Sequence, residues 1–152
     1  MSKQKERFAK TIQIQNRKAK FEFEFLDNYT AGIVLKGTEI KSIREGLASI
    51  QEAHCYFEGN ELMVKGMTIN HYKNASFLNH EQTRTRKLLL SKKELEKLKT
   101  KAQEKGLTII PFKLFVGSRG FAKLEIALAR GKKLYDKRES LKKKDQEREM
   151  GK

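Results

Sequence analysis

The stretch LTIIPFKLFVGSRGFAKLEIALA, Leu107 to Ala129, holds two apolar runs of strand length on either side of Gly117-Ser118-Arg119-Gly120. Runs rich in β-branched and aromatic residues, separated by a short glycine-bounded connection, mark a hairpin. Leu107 to Val116 and Phe121 to Ala129 are therefore expected as paired strands. Pro111, the single proline, falls inside the first run. It has no amide hydrogen to give a ladder, so that strand is expected at an edge or bulged there.

Immediately before this hairpin lies the clearest helix. Ser91 and Glu94 have the spacing of a capping box, in which the serine oxygen accepts the Glu94 amide and the carboxylate reaches back to the Ser91 amide. Leu90 and Leu95 stand where a hydrophobic staple would put them. Leu95, Leu98 and Ala102 share the core face, six lysines between Lys92 and Lys105 cover the rest, and Gly106 ends the helix. Asn70 to Thr83 has no period and is expected as a loop leading into Arg84-Thr85-Arg86-Lys87. Upstream, Ser49 to Phe57 and Glu61 to Ile69 flank Glu58-Gly59-Asn60, a second hairpin.

Towards the N-terminus, Thr38 is the expected cap of a short helix with Glu39 in its first turn. Ile40, Ile43 and Leu47 share its inner face, and Gly46 closes it. Before it, Ile12 and Ile14 alternate with Gln13 and Gln15 as a short strand, interrupted by the polar residues from Asn16 to Lys20. Phe21, Phe23 and Phe25 alternate with Glu22 and Glu24, giving a half-buried strand with aromatics inward. Asp27-Asn28 marks a turn, and Ala31 to Leu35 is a further strand ended by Gly37. Residues 1–10 form a basic arm expected to be mobile. The order of strands, short helix, hairpin, longer helix and hairpin predicts a mainly β fold with helices, a small barrel spanning residues 1–130.

The chain of 152 residues carries 34 Lys and Arg against 19 Asp and Glu, a net +15. That excess points to a polyanionic partner, nucleic acid or an anionic membrane. The membrane is the weaker of the two, because no apolar run is long enough to span a bilayer. The start, MSKQKERFAK, has no apolar core and is not a secretory signal. The single cysteine, Cys55, suits a strand residue in a reducing cytosol. His54, His71 and His80 lack metal-ligand spacing, and neither a phosphate loop nor a dinucleotide-binding element occurs. Glu22 with Glu24 and Glu147 with Glu149 are paired carboxylates in exposed settings, unsuited to acid–base catalysis. No metal or cofactor is expected. Gly117-Ser118-Arg119-Gly120 fits either a plain hairpin turn or the GxxG that clamps nucleic-acid backbone.

What remains is basic. Asn16-Arg17-Lys18, Arg84-Thr85-Arg86-Lys87 and Gly131-Lys132-Lys133 set cations beside hydrogen-bonding or small residues, the chemistry that meets phosphates. Phe8, Tyr29, Tyr72 and Phe121 could stack on unpaired bases, or serve as core. The segment Gly131 to Lys152, with 9 Lys and Arg among 22 residues, cannot fold on its own burial and is expected to be disordered in the free protein. Leu134 and Leu141 lie two helical turns apart, so it could order as a helix on a polyanion; otherwise it is a solubilising tail. From the residues alone the chain is an RNA- or DNA-binding barrel with a basic tail.

Four stretches, NRKAKFEF from Asn16, AGIVLKGTEIKSIREG from Ala31, TRTRKLLL from Thr83 and ARGKKLYDKRES from Ala129, resemble in order and spacing the SsrA-binding protein family, also called small protein B (SmpB). The resemblance implies an oligonucleotide-binding (OB-like) barrel, no enzymatic activity, and binding to the tRNA-like domain of transfer-messenger RNA (tmRNA). It implies delivery of that RNA to stalled ribosomes in trans-translation, with elongation factor Tu engaged through tmRNA. The tail would probe the small-subunit decoding centre and empty mRNA channel as a helix. The protein would act as a cytoplasmic monomer. It places RNA contacts at Asn16 and Leu89, with Arg17, Lys18, Arg84, Arg86 and Lys87 beside them. It also points to Thr30, where the family usually has glutamate. Gln82 stands where a proline is usual. Ribosome contacts are implied at Gly131, Lys132, Lys133, Tyr135, Asp136, Lys137 and Arg138. A structural rRNA-binding protein of the ribosome is the alternative that the basic barrel and tail would equally suit.

Overall fold

A computed structural model describes residues 12–73, 79–117 and 119–132. The expectations for residues 1–10, for Ser118 and for the tail from Lys133 lie outside these. The chain runs β1 (Gln13–Gln15), α1 (Arg17–Glu22), β2 (Phe23–Ile33), α2 (Gly37–Arg44), β3 (Ala48–Ser49), β4 (His54–Glu58), β5 (Glu61–Lys65), β6 (Thr68–Ile69), β7 (Arg86–Leu89), α3 (Lys92–Ala102), β8 (Leu107–Val116) and β9 (Ala122–Gly131).

The expected hairpin of β8 and β9 is present, and each of its strands also pairs with a third. β8 pairs with β4 and β1, and β9 pairs with β2. Because β4–β5–β7–β2 is itself a continuous run, the order β8–β4–β5–β7–β2–β9 returns to β8. The sheet is a closed antiparallel barrel, the OB-like architecture expected. Its interior holds Leu62, Val64, Leu88, Leu114, Leu124 and Ile126, and Ile43 of α2 and Leu98 of α3 cover its openings.

Two bulges explain why β8 and β9 read as nearly continuous apolar runs. Pairing slips between Pro111 and Lys113, leaving Phe112 as the extra residue. An extra residue swaps which parity faces inward. Before it, Leu107 and Ile109 face the barrel; after it, Leu114 and Val116 do. The off-phase residues Ile110 and Phe112 join Ala19, Phe23, Phe25 and Ala129 in a second cluster outside the barrel, with the Phe25 and Phe112 ring centroids 5.0 Å apart. The bulge expected at Pro111 is thus real, and it turns one hairpin into a strand pair buried on both faces.

A matching slip between Phe25 and Asp27 overturns the expected Asp27-Asn28 turn. β2 continues through it as one strand. Leu26 becomes the exposed bulge residue, and the inward set changes from the outer cluster (Phe23, Phe25) to the barrel (Tyr29, Ala31, Ile33). The Phe21–Phe25 strand is also shorter than expected, since α1 takes Arg17–Glu22. Six residues cannot hold a helix alone; Ala19 is buried against Ile110 and Ala129, and that packing holds it.

The Ser91–Glu94 capping box forms as expected, with the Glu94 amide donating to Ser91 Oγ at 3.2 Å. α2 differs in its start. Lys36, not Thr38, is the cap residue, and its amide donates to Glu39 Oε1 at 2.8 Å. The Thr38 hydroxyl instead meets His80 Nδ1 at 2.9 Å. The two strands expected over residues 49–57 and 61–69 each break, into β3 and β4 and into β5 and β6. Gly66 is the reason for the second break: its φ is +82°, and a Cβ there would lie 2.4 Å from the Glu52 carbonyl oxygen.

Gly46 has a similar φ of +77° but open space around it. Gly46→Ala should therefore cost only the left-handed backbone penalty, about 1 kcal/mol. Gly66→Ala must add the clash and should cost at least about 2 kcal/mol more than that. Urea denaturation of the two variants side by side measures the difference.

Candidate nucleic-acid interface

On the outer face of the β8–β9 ladder lies an open groove of about 520 Å³, lined by Gln15, Asn16, Arg17, Lys20, Phe21, Phe112, Lys113, Glu125 and Lys132. Four elements converge to make it. β1 ends at Gln15, α1 turns Arg17 and Lys20 outward, the β8 bulge exposes Lys113 beside Phe112, and the end of β9 brings in Lys132. The Lys132 amide is anchored to the Glu22 carbonyl at 2.9 Å. The groove presents four cations and one carboxylate, on a wall that carries two aromatic rings. That combination suits a phosphodiester chain with bases at its side.

Asn16 is the hinge of this groove. Its amide donates to the Phe112 carbonyl at 2.9 Å, and Nδ2 reaches the carbonyls of Ile50 and Gln51, each at 3.5 Å. The side chain is buried, and Oδ1 has no hydrogen-bond partner among the described residues. Arg17 joins the groove, and Lys18 is exposed on α1 without lining it. Thr30 is exposed on β2, directly across the ladder from Glu125 of the groove.

The Arg84–Lys87 run behaves otherwise than expected. Arg86 has no exposed surface. It lies inside the barrel, its Nε donating to Glu39 Oε2 at 2.5 Å. Its other four N–H bonds go to the carbonyls of Met67 and Arg84 (2.9 Å each), Gln82 (3.2 Å) and Glu81 (3.4 Å). All five donors of the guanidinium are used, so no phosphate can reach it. Arg84 donates to the other oxygen of Glu39 at 2.6 Å and is only partly exposed. Lys87 faces solvent and pairs with Glu61 at 3.0 Å. Two of the three cations expected on the RNA surface thus hold α2 to β7, and the surface at this end is carried by Leu89, which is 51% exposed beside the buried Leu88.

Burial by itself would raise the Glu39 pKa, but Arg84, the Lys36 amide and Arg86 outweigh it and hold the carboxyl below its ordinary 4.5. Burial lowers the Arg86 value against the pull of Glu39, and the guanidinium stays charged.

The tail residues Lys133, Tyr135, Asp136, Lys137 and Arg138 lie outside the described residues. Gly131, expected at the exit from the barrel, is the last residue of β9 and faces Phe23 across the ladder. Lys20, Lys113 and Glu125 were not singled out in the sequence; only the outward parity after the Pro111 bulge would have revealed Lys113. Among the described residues no group of three His, Cys, Asp or Glu is placed to hold a metal ion. His80 is a satisfied buried histidine, its Nε2 donating to the Ile69 carbonyl at 2.8 Å. Burial pushes the Cys55 thiol pKa far up, leaving it unreactive. No helix among the described residues is long and apolar enough to cross a membrane.

A closed OB-like barrel with a cationic groove of this kind defines a small nucleic-acid-binding module. The comparisons make it specific. The profile of a family described as "SmpB protein" matches residues 13–152. The chain is 61% identical over 141 residues to the SsrA-binding protein of Cytophaga hutchinsonii, covering 93% of this chain and 92% of that one. It is 58% identical over 139 residues to the SsrA-binding protein of Phocaeicola vulgatus, covering 91% and 93%. A chain in a solved structure titled "tmRNA-SmpB: a journey to the center of the bacterial ribosome" superposes with a TM-score of 0.69 at 42% identity, covering 85% of this chain and 94% of that one. This chain belongs to the SmpB family.

Glu39→Gln leaves Arg86 charged and buried without its carboxylate, and should lower the unfolding free energy by about 3 kcal/mol. Because the folded pKa of Glu39 is depressed, its contribution is full above 4.5 and drains away as pH falls through the folded value. Urea midpoints measured from pH 7 to pH 3 should fall in acid for the native chain, and less steeply for Glu39→Gln.

Proposed function

We infer that this chain binds tmRNA, the SsrA RNA, and acts with it on the ribosome in trans-translation. The observation that carries this is the family match across residues 13–152, laid over a barrel whose outer groove sets Arg17, Lys20, Lys113 and Lys132 around one channel. The protein works as an RNA-binding module and not as an enzyme. It docks on the tRNA-like domain of the RNA as a monomer in the cytoplasm. Elongation factor Tu joins through the RNA.

Within that reading the groove cations meet phosphates, and Asn16 fixes the loop from which they project. Thr30 and Leu89 extend the contact along the barrel, with Lys18 and Lys87 at its margins. Lys133, Tyr135, Asp136, Lys137 and Arg138 form the ribosome-facing segment, and Lys132, whose amide is held by the barrel, stands at its root. Cations interleaved with Leu134, Tyr135 and Leu141 suit ordering in a channel lined by rRNA phosphates, the empty mRNA path of the small subunit.

Two measurements test this. Log affinity for tmRNA should fall linearly with log salt, and Arg17→Gln or Lys113→Gln should each reduce the slope by about one unit without lowering the melting temperature. Truncation should be made after Lys132, because Gly131 and the Lys132 amide belong to the barrel. The truncated protein should bind tmRNA nearly as the full chain does in a gel shift and should lose peptide tagging on stalled ribosomes. Tagging at the normal rate would remove the tail from the mechanism.

A further inference from the structure

The barrel is fastened unevenly around its circumference. β9 pairs with β2 from Phe23 to Gly32 and with β8 from Leu107 to Val116. β4 pairs with β5 along its whole length. The ring is completed between β4 and β8, and among the described residues that pairing has one position, Cys55 opposite Ile109. Past it the two strands splay. A cleft of about 310 Å³ opens between Tyr56 and Phe57 of β4 and Leu107 and Thr108 of β8, with Ala102 and Gln103 at the end of α3 in its wall. The β2–β7 joint is also short, but Glu39 with Arg84 and Arg86 locks α2 to β7 beside it.

On the other side of Cys55 the fastening is Asn16. Its amide donates to the Phe112 carbonyl of β8 at 2.9 Å, and its Nδ2 reaches the carbonyls of Ile50 and Gln51, just before β4, at 3.5 Å each. The first bond is of ordinary length and the other two stand at the long limit. Opening between β4 and β8 therefore breaks one ladder position and two long contacts, whereas opening at either edge of β9 breaks a whole ladder. Free energies of local opening differ across a fold for this reason.

We propose that the β4–β8 seam is a joint at which the folded barrel opens, that the Asn16 side chain is its clasp, and that RNA in the cationic groove holds the clasp shut. The last part rests on the RNA-binding reading above. Asn16 and Arg17 enter the groove from one flank, Phe112 and Lys113 of β8 from another. A polyanion seated across Arg17 and Lys113 packs over Asn16 and keeps its amide against the Ile50 and Gln51 carbonyls. By linkage, an open seam weakens the groove by the same factor. Asn16 is thus a positioning residue, acting on the groove through the state of the seam.

Cys55 reports that state. It is the single cysteine of the chain, its side chain is buried, and burial pushes its thiol pKa far up, so a reagent meets thiolate when the seam is open. Iodoacetamide labelling of the full chain, read by mass at increasing urea, should show a plateau at low urea. The plateau rate should exceed by at least about tenfold the rate that global unfolding of the same chain allows. Asn16→Ala should raise the plateau about fivefold beyond the shift its own urea midpoint accounts for. Saturating tmRNA should lower it by about the same factor, and the protection should vanish at the salt where the gel shift is lost. Labelling that follows global unfolding at every urea concentration refutes the seam, and the native chain decides this whether or not the variant folds. A plateau unmoved by Asn16→Ala overturns the clasp. A plateau unmoved by tmRNA at gel-shift saturation overturns the coupling while RNA binding stands. Without a gel shift the functional reading falls, and the coupling with it, while the plateau still supports the seam.

Discussion

Everything at the α2 end of the barrel depends on one buried carboxylate. Glu39 accepts from the Lys36 amide, from Arg84 and from Arg86. It joins the first turn of a helix, the entry to β7 and the loop carbonyls that Arg86 in turn binds. Removing two ions from water costs several kcal/mol each, and such a pair is favourable only when every remaining lone pair and proton is used. Here they are used. Arg86 spends its four remaining donors on the backbone carbonyls of Met67, Glu81, Gln82 and Arg84, none of which lies in a strand or helix. Apolar residues of equal size could fill the space, but they would not fix the path of the loop. The ion pair therefore acts as a positioning device, and what it positions includes Lys36 and Leu89, neither of which touches it through a side chain.

The other end of the molecule is organised by displacement rather than by charge. One extra residue in β2 and one in β8 each reverse the inward face of their strands. The same two strands can then close a barrel along one half of their length and support a helix along the other. α1 exists because of that second surface, and the cationic groove exists because α1 and the bulge at Phe112 stand on either side of it.

The sequence made some of this legible and hid the rest for definable reasons. The β8–β9 hairpin, the Ser91–Glu94 box and the bulge at Pro111 are local, and residues within a few positions of one another decide them. α1 was hidden because its residues, Arg17 to Glu22, are polar and overlap an alternation of phenylalanines that reads as strand. Its cause is Ala19 meeting Ile110 and Ala129, far along the chain. The continuity of β2 was hidden by Asp27-Asn28, a pair that favours turns but here sits just past a bulge, with Asp27 paired to Lys101 of α3. Arg86 looked like a surface cation because its partner Glu39 is 47 residues earlier. The groove was only half visible. Arg17 and Lys132 lie in basic runs, whereas Lys113 and Glu125 are single charges in apolar strands whose direction depends on the bulge.

The closed ring has a consequence for how the chain comes to be made. β2 is complete early, yet its long partner β9 is the last strand among the described residues, with Phe23 meeting Gly131. Until that strand arrives, β2 is an open edge and the interior lies uncovered, and the contact that shuts the ring spans roughly a hundred residues of chain. The entropy of closing so long a loop grows only slowly with length, so the delay costs time more than stability. During that interval the nascent chain presents unpaired amides and apolar surface to its neighbours. The final hairpin, formed locally, is the piece that ends the exposure by adding to β2 and β4 at once.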